Sequence, residues 1–568
     1  MPDIHTFWSF MPRRRALSRS TLDALWSLAT GLLLLAKGLW DNRALFGHDL
    51  APLDDAAADM LLSERMHHGL LLTGHYNFIG VYHPGPFLFY IRWLFEPLAP
   101  LVGTVHLTHL IAMMALDSAF FALIAVMALR LTRDDGVGRG AVLAGLCAIP
   151  LQLSGADWYA TLFIPHYLPL PTAAFILAVI LLARGSAFGL VAATVLTAIL
   201  VHAYIPLAPA TVLIWALALA RGRSERRRLL GRGFTPATWV GCAAIIGLFI
   251  LPLALDAILN PPGNIVAIFQ AAMTSPHTAD QHPLGRAAAL ALGKCLLPRD
   301  FMVPLLLVGI VLAVRRRRFQ RLWREILTVS ALLMGLEIAL LSHNAAGVRP
   351  YMLDFGAAPL LLALLLSTTM IVAEVQGLSL SGGARALPAA MPWGIAGLTL
   401  ALASTTHSST WFSKEVSPFV TAIVDRSRPG DMVTIVNERL YGWQLPLTLM
   451  VELDRTEVHS CFEHRQPQQG RRRVLAVAAT RERLCAQATK PPDHVFRLDP
   501  VAPCPKAAAP SYREGEMGYR AVMAIAHQLG LLRQPPDPTG SCLDHPPDDA
   551  IILHCLEDHS CYTLAQLK

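Results

Sequence analysis

Apolar runs long enough, or nearly long enough, to cross a bilayer as a helix of about 20 residues recur down this chain, and short arginine clusters separate them. They fall at 22–40, 104–130, 140–152, 163–184, 187–204, 206–221, 236–254, 301–314, 325–342, 351–374 and 391–406 of 568 residues. Hydrophobic residues make up 54% and charged residues only 15%, against roughly 25% charged in ordinary globular proteins. That balance excludes a disordered or fibrous chain and argues against a purely soluble enzyme. The net charge of +7 does not point to nucleic acid, because the arginines gather into no single face. The pattern predicts an α-helical multi-pass membrane protein with about eleven spans.

Arginine placement orients it. Clusters at Arg13–Arg15, Arg130/Arg133/Arg139, Arg184, Arg221–Arg228 and Arg315–Arg324 all become cytoplasmic when the N-terminus starts inside and each run crosses once, as the positive-inside rule requires. Residues 41–103, residues 255–300 and everything after about 406 are then outside. Residues 1–20 carry no clear small-residue cleavage site, so the first run reads as a retained signal anchor. The expected division is a transmembrane domain over 1–410 and a small α/β soluble domain over 411–568.

In that tail, Met432–Val436, Glu457–Phe462, Arg473–Ala478 and Ile551–Leu556 read as strands, and Tyr441–Leu453 and Arg513–Leu531 as helices. No glycine-rich dinucleotide fingerprint accompanies them. Of nine cysteines, Cys147 and Cys242 lie in apolar runs and Cys295 close to one; Cys461, Cys485, Cys504, Cys542, Cys555 and Cys561 fall in the tail. An even number in a segment placed outside suggests disulfides and an oxidising compartment.

The chemistry-bearing residues cluster in the first outer loop, Gly47-His-Asp-Leu-Ala-Pro-Leu-Asp-Asp-Ala-Ala-Ala-Asp-Met60 and Gly74-His-Tyr-Asn-Phe-Ile-Gly-Val-Tyr-His-Pro-Gly-Pro86. Asp55 and Asp59 are four apart and share a helix face. Met60, Leu61 and Leu72 give that stretch an apolar side, as for a helix lying in the membrane interface. Partly desolvated carboxylates there suit a general base; alternatively, Asp54 caps the helix and Asp55 complements its dipole. His83 precedes a proline and is biased to extended backbone, and Pro86 suits the first turn of a helix over 87–98. This segment is either a site element with Tyr82 and His83 or a rigid turn.

A second outer segment holds Asp256 and Asn260-Pro-Pro-Gly-Asn-Ile265. With Asn264 as N-cap its free backbone N–H groups would suit a phosphate; as a plain turn it needs no function. A third, Ser342-His-Asn-Ala-Ala-Gly-Val-Arg-Pro-Tyr351, offers His343 and Arg349, the latter a cation at an outer junction that invites an anionic headgroup. His106 and His109 could bind metal or bond helix neighbours, and His202 and Tyr204 could line a cavity or pack. No metal site is expected. Walker A, Gly-x-Ser-x-Gly and His-Glu-x-x-His patterns are absent, which weakens ATP-driven transport, serine hydrolase and zinc protease readings.

Taken in order, these features resemble the GT-C membrane glycosyltransferases, and more closely a bacterial group in which an acidic loop leads to His-Pro-Gly-Pro and an aromatic helix, followed by an outer Pro-Gly-Asn and a soluble domain. The matching residues are Asp54 and Asp59, His83-Pro-Gly-Pro86 with Phe89-Tyr90, and Pro262-Gly-Asn264. The resemblance covers roughly 20–450 and leaves the cysteine-rich end unplaced. Where the family has Gly-Asp or Asp-Glu, this chain offers Asp49, Asp54 and Asp55.

The resemblance implies a protein of the bacterial inner membrane. It would move a sugar, with inversion, from a polyprenyl-phosphate carrier to a hydroxyl of an envelope glycan, lipid or protein. Asp54 or Asp55 would act as base; Asp59, Tyr82, His83, Asn264, His343 and Arg349 would bind substrate, with Arg349 on the leaving phosphate. The donor lipid is the cofactor-like partner, and a divalent metal is not predicted. A flippase of lipid-linked saccharide or a non-catalytic scaffold is the alternative.

Overall fold

The computed structural model describes residues 18–48, 50–52, 55–77, 81–133, 136–154, 158–231, 233–274, 283–342, 350–377, 386–405, 412–413, 416–437, 444–464, 492–501, 517–529, 550–555 and 561–567. Each of the apolar runs is helical in it. The chain opens with α1 (Arg19–Asp41) and passes through β1 (Ala51–Pro52), α2 (Asp55–His68), a hairpin of β2 (Tyr76–Asn77) and β3 (Val81–Tyr82), α3 (Phe87–Trp93) and the short α4 (Ala99–Val102). The bundle continues through α5 (Val105–Thr132), α6 (Arg139–Leu153), α7 (Ile164–Tyr167), α8 (Pro169–Ala183), α9 (Ala187–Ala203), α10 (Leu207–Leu230) and α11 (Pro236–Leu259). Then come α12 (Asn264–Thr274), α13 (Pro283–Leu290), α14 (Val303–Arg315), α15 (Arg317–Ser342), α16 (Ala357–Gly377) and α17 (Ala386–Leu402).

Among the described residues, five helical stretches are long and apolar enough to cross a membrane: Arg19–Asp41, Val105–Thr132, Pro236–Leu259, Phe319–Ser342 and Met352–Gly377. The rest of the bundle consists of shorter or more polar helices. α8 has no polar face and is buried along nearly all its length, as an all-round apolar helix must be. α5, α9, α10, α15 and α16 pack around it. α11 and α14 instead turn Val240, Leu248, Leu307 and Val314 outward, apolar surface suited to lipid rather than water.

The tail forms a five-stranded sheet in the order β6-β5-β7-β9-β8, from β5 (Met432–Asn437), β6 (His459–His464), β7 (His494–Val501), β8 (Ala550–Cys555) and β9 (Cys561–Leu567). β5 runs parallel to β6 and β7, whereas β9 is antiparallel to β7 and β8. Val433, Thr434, Ile435 and Val436 are all buried, as a strand covered on both faces demands. The helices are α18 (Ser417–Val424), α19 (Gln444–Asp454) and α20 (Met517–Gln528). Two strands, β7 and β9, go beyond the sequence expectation: Arg497 and Asp499 interrupt the apolar pattern of β7, and β9 trails the strand taken as final. Arg473–Ala478 lies outside the described residues, as do Cys485, Cys504 and Cys542. Cys461 is disulfide-bonded, while Cys147 and Cys242 are buried free thiols.

The sheet domain sits on α2. Ala57, Ala58 and Leu61 of α2 share a core with Val416, Phe419, Leu445 and Leu449, and β1 pairs with β4 (Phe412–Ser413). Leu62, on the other side of α2, packs with Leu71 and Phe89. The expectation of a helix lying in the membrane interface is therefore corrected. The apolar side of α2 is taken up by α19, in a core shared with α18, instead of lipid, and the small alanines at 57 and 58 allow that close approach.

Candidate functional site

The i, i+4 carboxylates of α2 meet His75 and Tyr76, consecutive residues at the entry to the β2 strand. Asp59 Oδ1 accepts from His75 Nδ1 at 2.5 Å, and Asp55 accepts from the Tyr76 hydroxyl. The other Asp59 oxygen takes Arg92 Nη1 at 2.7 Å, and Arg92 Nη2 reaches the Leu162 carbonyl at 2.9 Å. Arg92 is fully buried, and a guanidinium in that position is tolerable only when paired and hydrogen-bonded. Burial would push the Asp59 carboxyl up, but His75 and Arg92 outweigh it and hold the group below the usual carboxylate range. Burial also lowers His75, with Arg92 adding to it and Asp59 opposing. The pair therefore reads as a carboxylate held by a guanidinium and a neutral imidazole, which stacks on Phe89 with ring centroids 4.5 Å apart.

The hairpin then delivers His83. Gly74 N–H donates to the His83 carbonyl at 2.9 Å and His83 N–H to the His75 carbonyl at 2.6 Å. Two glycines of this segment, Gly74 and Gly85, are there for close approach. A Cβ on Gly74 would stand 2.7 Å from the Gly85 carbonyl, and one on Gly85 would stand 1.9 Å from His202 Nδ1. His83 is buried; its Nδ1 accepts the Ile205 N–H at 3.1 Å, and its ring lies 5.4 Å from that of Tyr204. Burial, with a smaller push from His75 and against the pull of Asp59, drives His83 down to about 3, so it is neutral at physiological pH. Pro86 takes the cap position of α3.

The distant Asn260–Asn264 turn closes onto this hairpin. Tyr82 N–H donates to Asn264 Oδ1 at 3.1 Å, and Asn264 Nδ2 donates to the Tyr82 carbonyl at 3.0 Å and the His83 carbonyl at 3.3 Å. One side chain thus mimics a neighbouring strand. The notion of a free amide here is corrected: Asn264 N–H donates to Asp256 Oδ2 at 2.5 Å, and Asn260 Nδ2 donates to Asp256 Oδ1 at 3.0 Å. Gly263 makes the turn possible with φ of +80°.

Of the residues singled out in the sequence, Asp55, Asp59, Tyr82, His83 and Asn264 meet in this joint. Asp54 and the alternative Asp49 lie outside the described residues, as do His343 and Arg349. The turn that follows, Pro350–Gly356, is anchored nearby, since the Tyr204 hydroxyl that overlies His83 donates to the Met352 carbonyl at 3.5 Å. His109 bonds Glu96 at 2.9 Å, and His67 takes the other Glu96 oxygen at 3.1 Å. Among the described residues no three His, Cys, Asp or Glu side chains are arranged to hold a metal. Arg92, His75 and Asp256 were not expected in the site. The available signal was an arginine in an apolar helix and an aspartate ending another, each of which needs a buried partner.

No protein-family model matches the chain, and no match emerges among curated proteins.

Proposed function

We propose that the chain is a membrane glycosyltransferase that moves a sugar from a polyprenyl-phosphate carrier to a hydroxyl acceptor, with inversion. The reading is supported most by the joint itself, in which α2 with its acids, the 74–86 hairpin and the 256–264 turn meet beside the apolar helices. These segments are the ones that the GT-C resemblance singles out. In this reading the eleven apolar runs all cross the bacterial inner membrane, the arginine clusters face the cytoplasm, and the joint and the sheet domain lie outside.

The acceptor hydroxyl gives its proton to Asp54 or Asp55 as its oxygen attacks the anomeric carbon, and the carbon–phosphate oxygen bond breaks on the opposite face. Arg349, just before the turn tied to Tyr204, neutralises the departing phosphate. Asp59, locked by Arg92 and His75, positions α2 and carries no proton. Asn264 fixes Tyr82 and His83, which in this reading face the lipid phosphate.

The test uses full-length protein in vesicles with radiolabelled polyprenyl-phosphate sugars. Label that appears on a hydroxyl acceptor supports the proposal. Label that crosses the bilayer still attached to its phosphate supports a flippase instead, and label that does neither supports a scaffold.

A further inference from the structure

The strand order of the tail sheet sorts its cysteines by distance. Cys461 lies on β6 at one edge, whereas Cys561 lies on β9 and Cys555 on β8, the opposite edge strand. Neighbouring strands stand about 4.8 Å apart, which puts Cys461 about 14 Å from β9 and about 19 Å from β8. A disulfide spans at most about 7 Å between Cα atoms. The bond that Cys461 makes therefore goes to neither Cys555 nor Cys561.

Those two are opposed to each other instead. β8 and β9 form an antiparallel hairpin across residues 556–560, and Cys555 with Cys561 is the register pair nearest its turn. Directly opposed residues of an antiparallel ladder have Cα atoms about 5.5 Å apart when the pair is hydrogen-bonded and about 4.5 Å when it is not. They also stand on the same face of the sheet. Both spacings fall inside the window of about 4.4–6.8 Å that a disulfide accepts. The position has a consequence for the acids of α2. β8 is held on one side only, while β9 carries Leu564 into the core that contains Ala57, Ala58 and Leu61 of that helix.

We propose that Cys555 and Cys561 form a disulfide that staples the β8–β9 hairpin and so holds β9, with Leu564, in the cover over α2. The bond is made by exchange with an oxidoreductase that carries a disulfide. One thiolate attacks that disulfide to give a mixed disulfide, and the second thiolate then displaces the enzyme. One S–S bond forms in this chain, its two thiols lose two protons and two electrons, and the donor leaves as a dithiol. The bond requires the sheet domain to lie in an oxidising compartment, and it is independent of sugar transfer.

Full-length protein made in a bacterial membrane, extracted without reductant and alkylated with N-ethylmaleimide before digestion, provides the test. An endoproteinase that cuts before aspartate separates the two cysteines, releasing 549–557 with Cys555 and 558–568 with Cys561. The two peptides should appear as one linked species that reduction splits. Cys555→Ser should expose one new maleimide-reactive thiol per chain, and Cys555→Ser/Cys561→Ser should remove it and unfold at a lower temperature than wild type. Recovery of both peptides separately alkylated overturns the proposal, and so does linkage of either one to another cysteine. In the first case the state of Cys461 separates the causes: alkylated as well, the domain has not met an oxidising compartment; still bonded, the pairing itself is wrong. An unchanged unfolding temperature in the double variant overturns the role of the bond in holding the cover.

Discussion

Two buried carboxylates in this protein live in opposite circumstances. Asp59 uses both oxygens, one on a guanidinium and one on an imidazole, and its neighbours tie α2, the hairpin and α3 into one body. Asp117 uses neither. Burial alone therefore does not reveal a residue's task. A partnered charge fixes architecture and becomes dangerous when half of the pair is removed, whereas an unpartnered one contributes little to the fold and invites a functional explanation.

The largest effect should come from breaking the partnered site. Arg92→Ala strands Asp59 as an uncompensated buried charge and should destabilise the protein by about 3–5 kcal/mol, read as thermal unfolding in detergent by tryptophan fluorescence. A loss as small as that of an ordinary surface substitution would break the contrast. Next, Asn264→Ala leaves the Tyr82 amide and carbonyl without their partner and should cost about 2–3 kcal/mol. The same unfolding measurement, made with Asn264→Asp as a half-matched control, separates loss of the bonds from loss of volume.

Acid should then reach the joint through His83. Its unfolded imidazole takes a proton below about pH 6.5, but the folded one resists protonation until about 3. The unfolded state thus binds more protons across this window, and stability falls as pH drops through it, by about 2 kcal/mol between pH 6.5 and 5. A His83→Gln variant should show a flatter stability profile, and an unchanged slope would remove His83 from the account. Smallest of all, Asp117→Asn should shift stability by about 1 kcal/mol or less, since no bond is lost. A large destabilisation there would show that Asp117 has a structural partner after all and would erase the difference between the two carboxylates.

Much of the helical layout was legible because long apolar runs permit little else. Asp55 and Asp59 were placed on one helix face by their spacing alone. The joint was only half legible. Tyr82, His83 and Asn264 could be singled out from turn chemistry, yet nothing local says that Asn264 would pair with a backbone far earlier in the chain, or that its own amide would go to Asp256. Likewise, α2 reads as an interface helix because its apolar side is visible in sequence while its cover, α19, comes from the far end of the chain. Arg92 was visible as a misplaced charge, but its partner is settled only by the fold. In the sheet domain, β5 was plain from its β-branched run Met432-Val-Thr-Ile-Val436, whereas charges at Arg497 and Asp499 hid β7.

The most direct measurement is single-turnover sugar transfer by wild type and by the double variant Asp54→Asn/Asp55→Asn, with the anomeric configuration of the product determined by NMR. The account predicts an inverted product from wild type and a loss of about 10²-fold or more in the double variant, with donor binding retained. Retention of configuration, or undiminished transfer in the double variant, would contradict it.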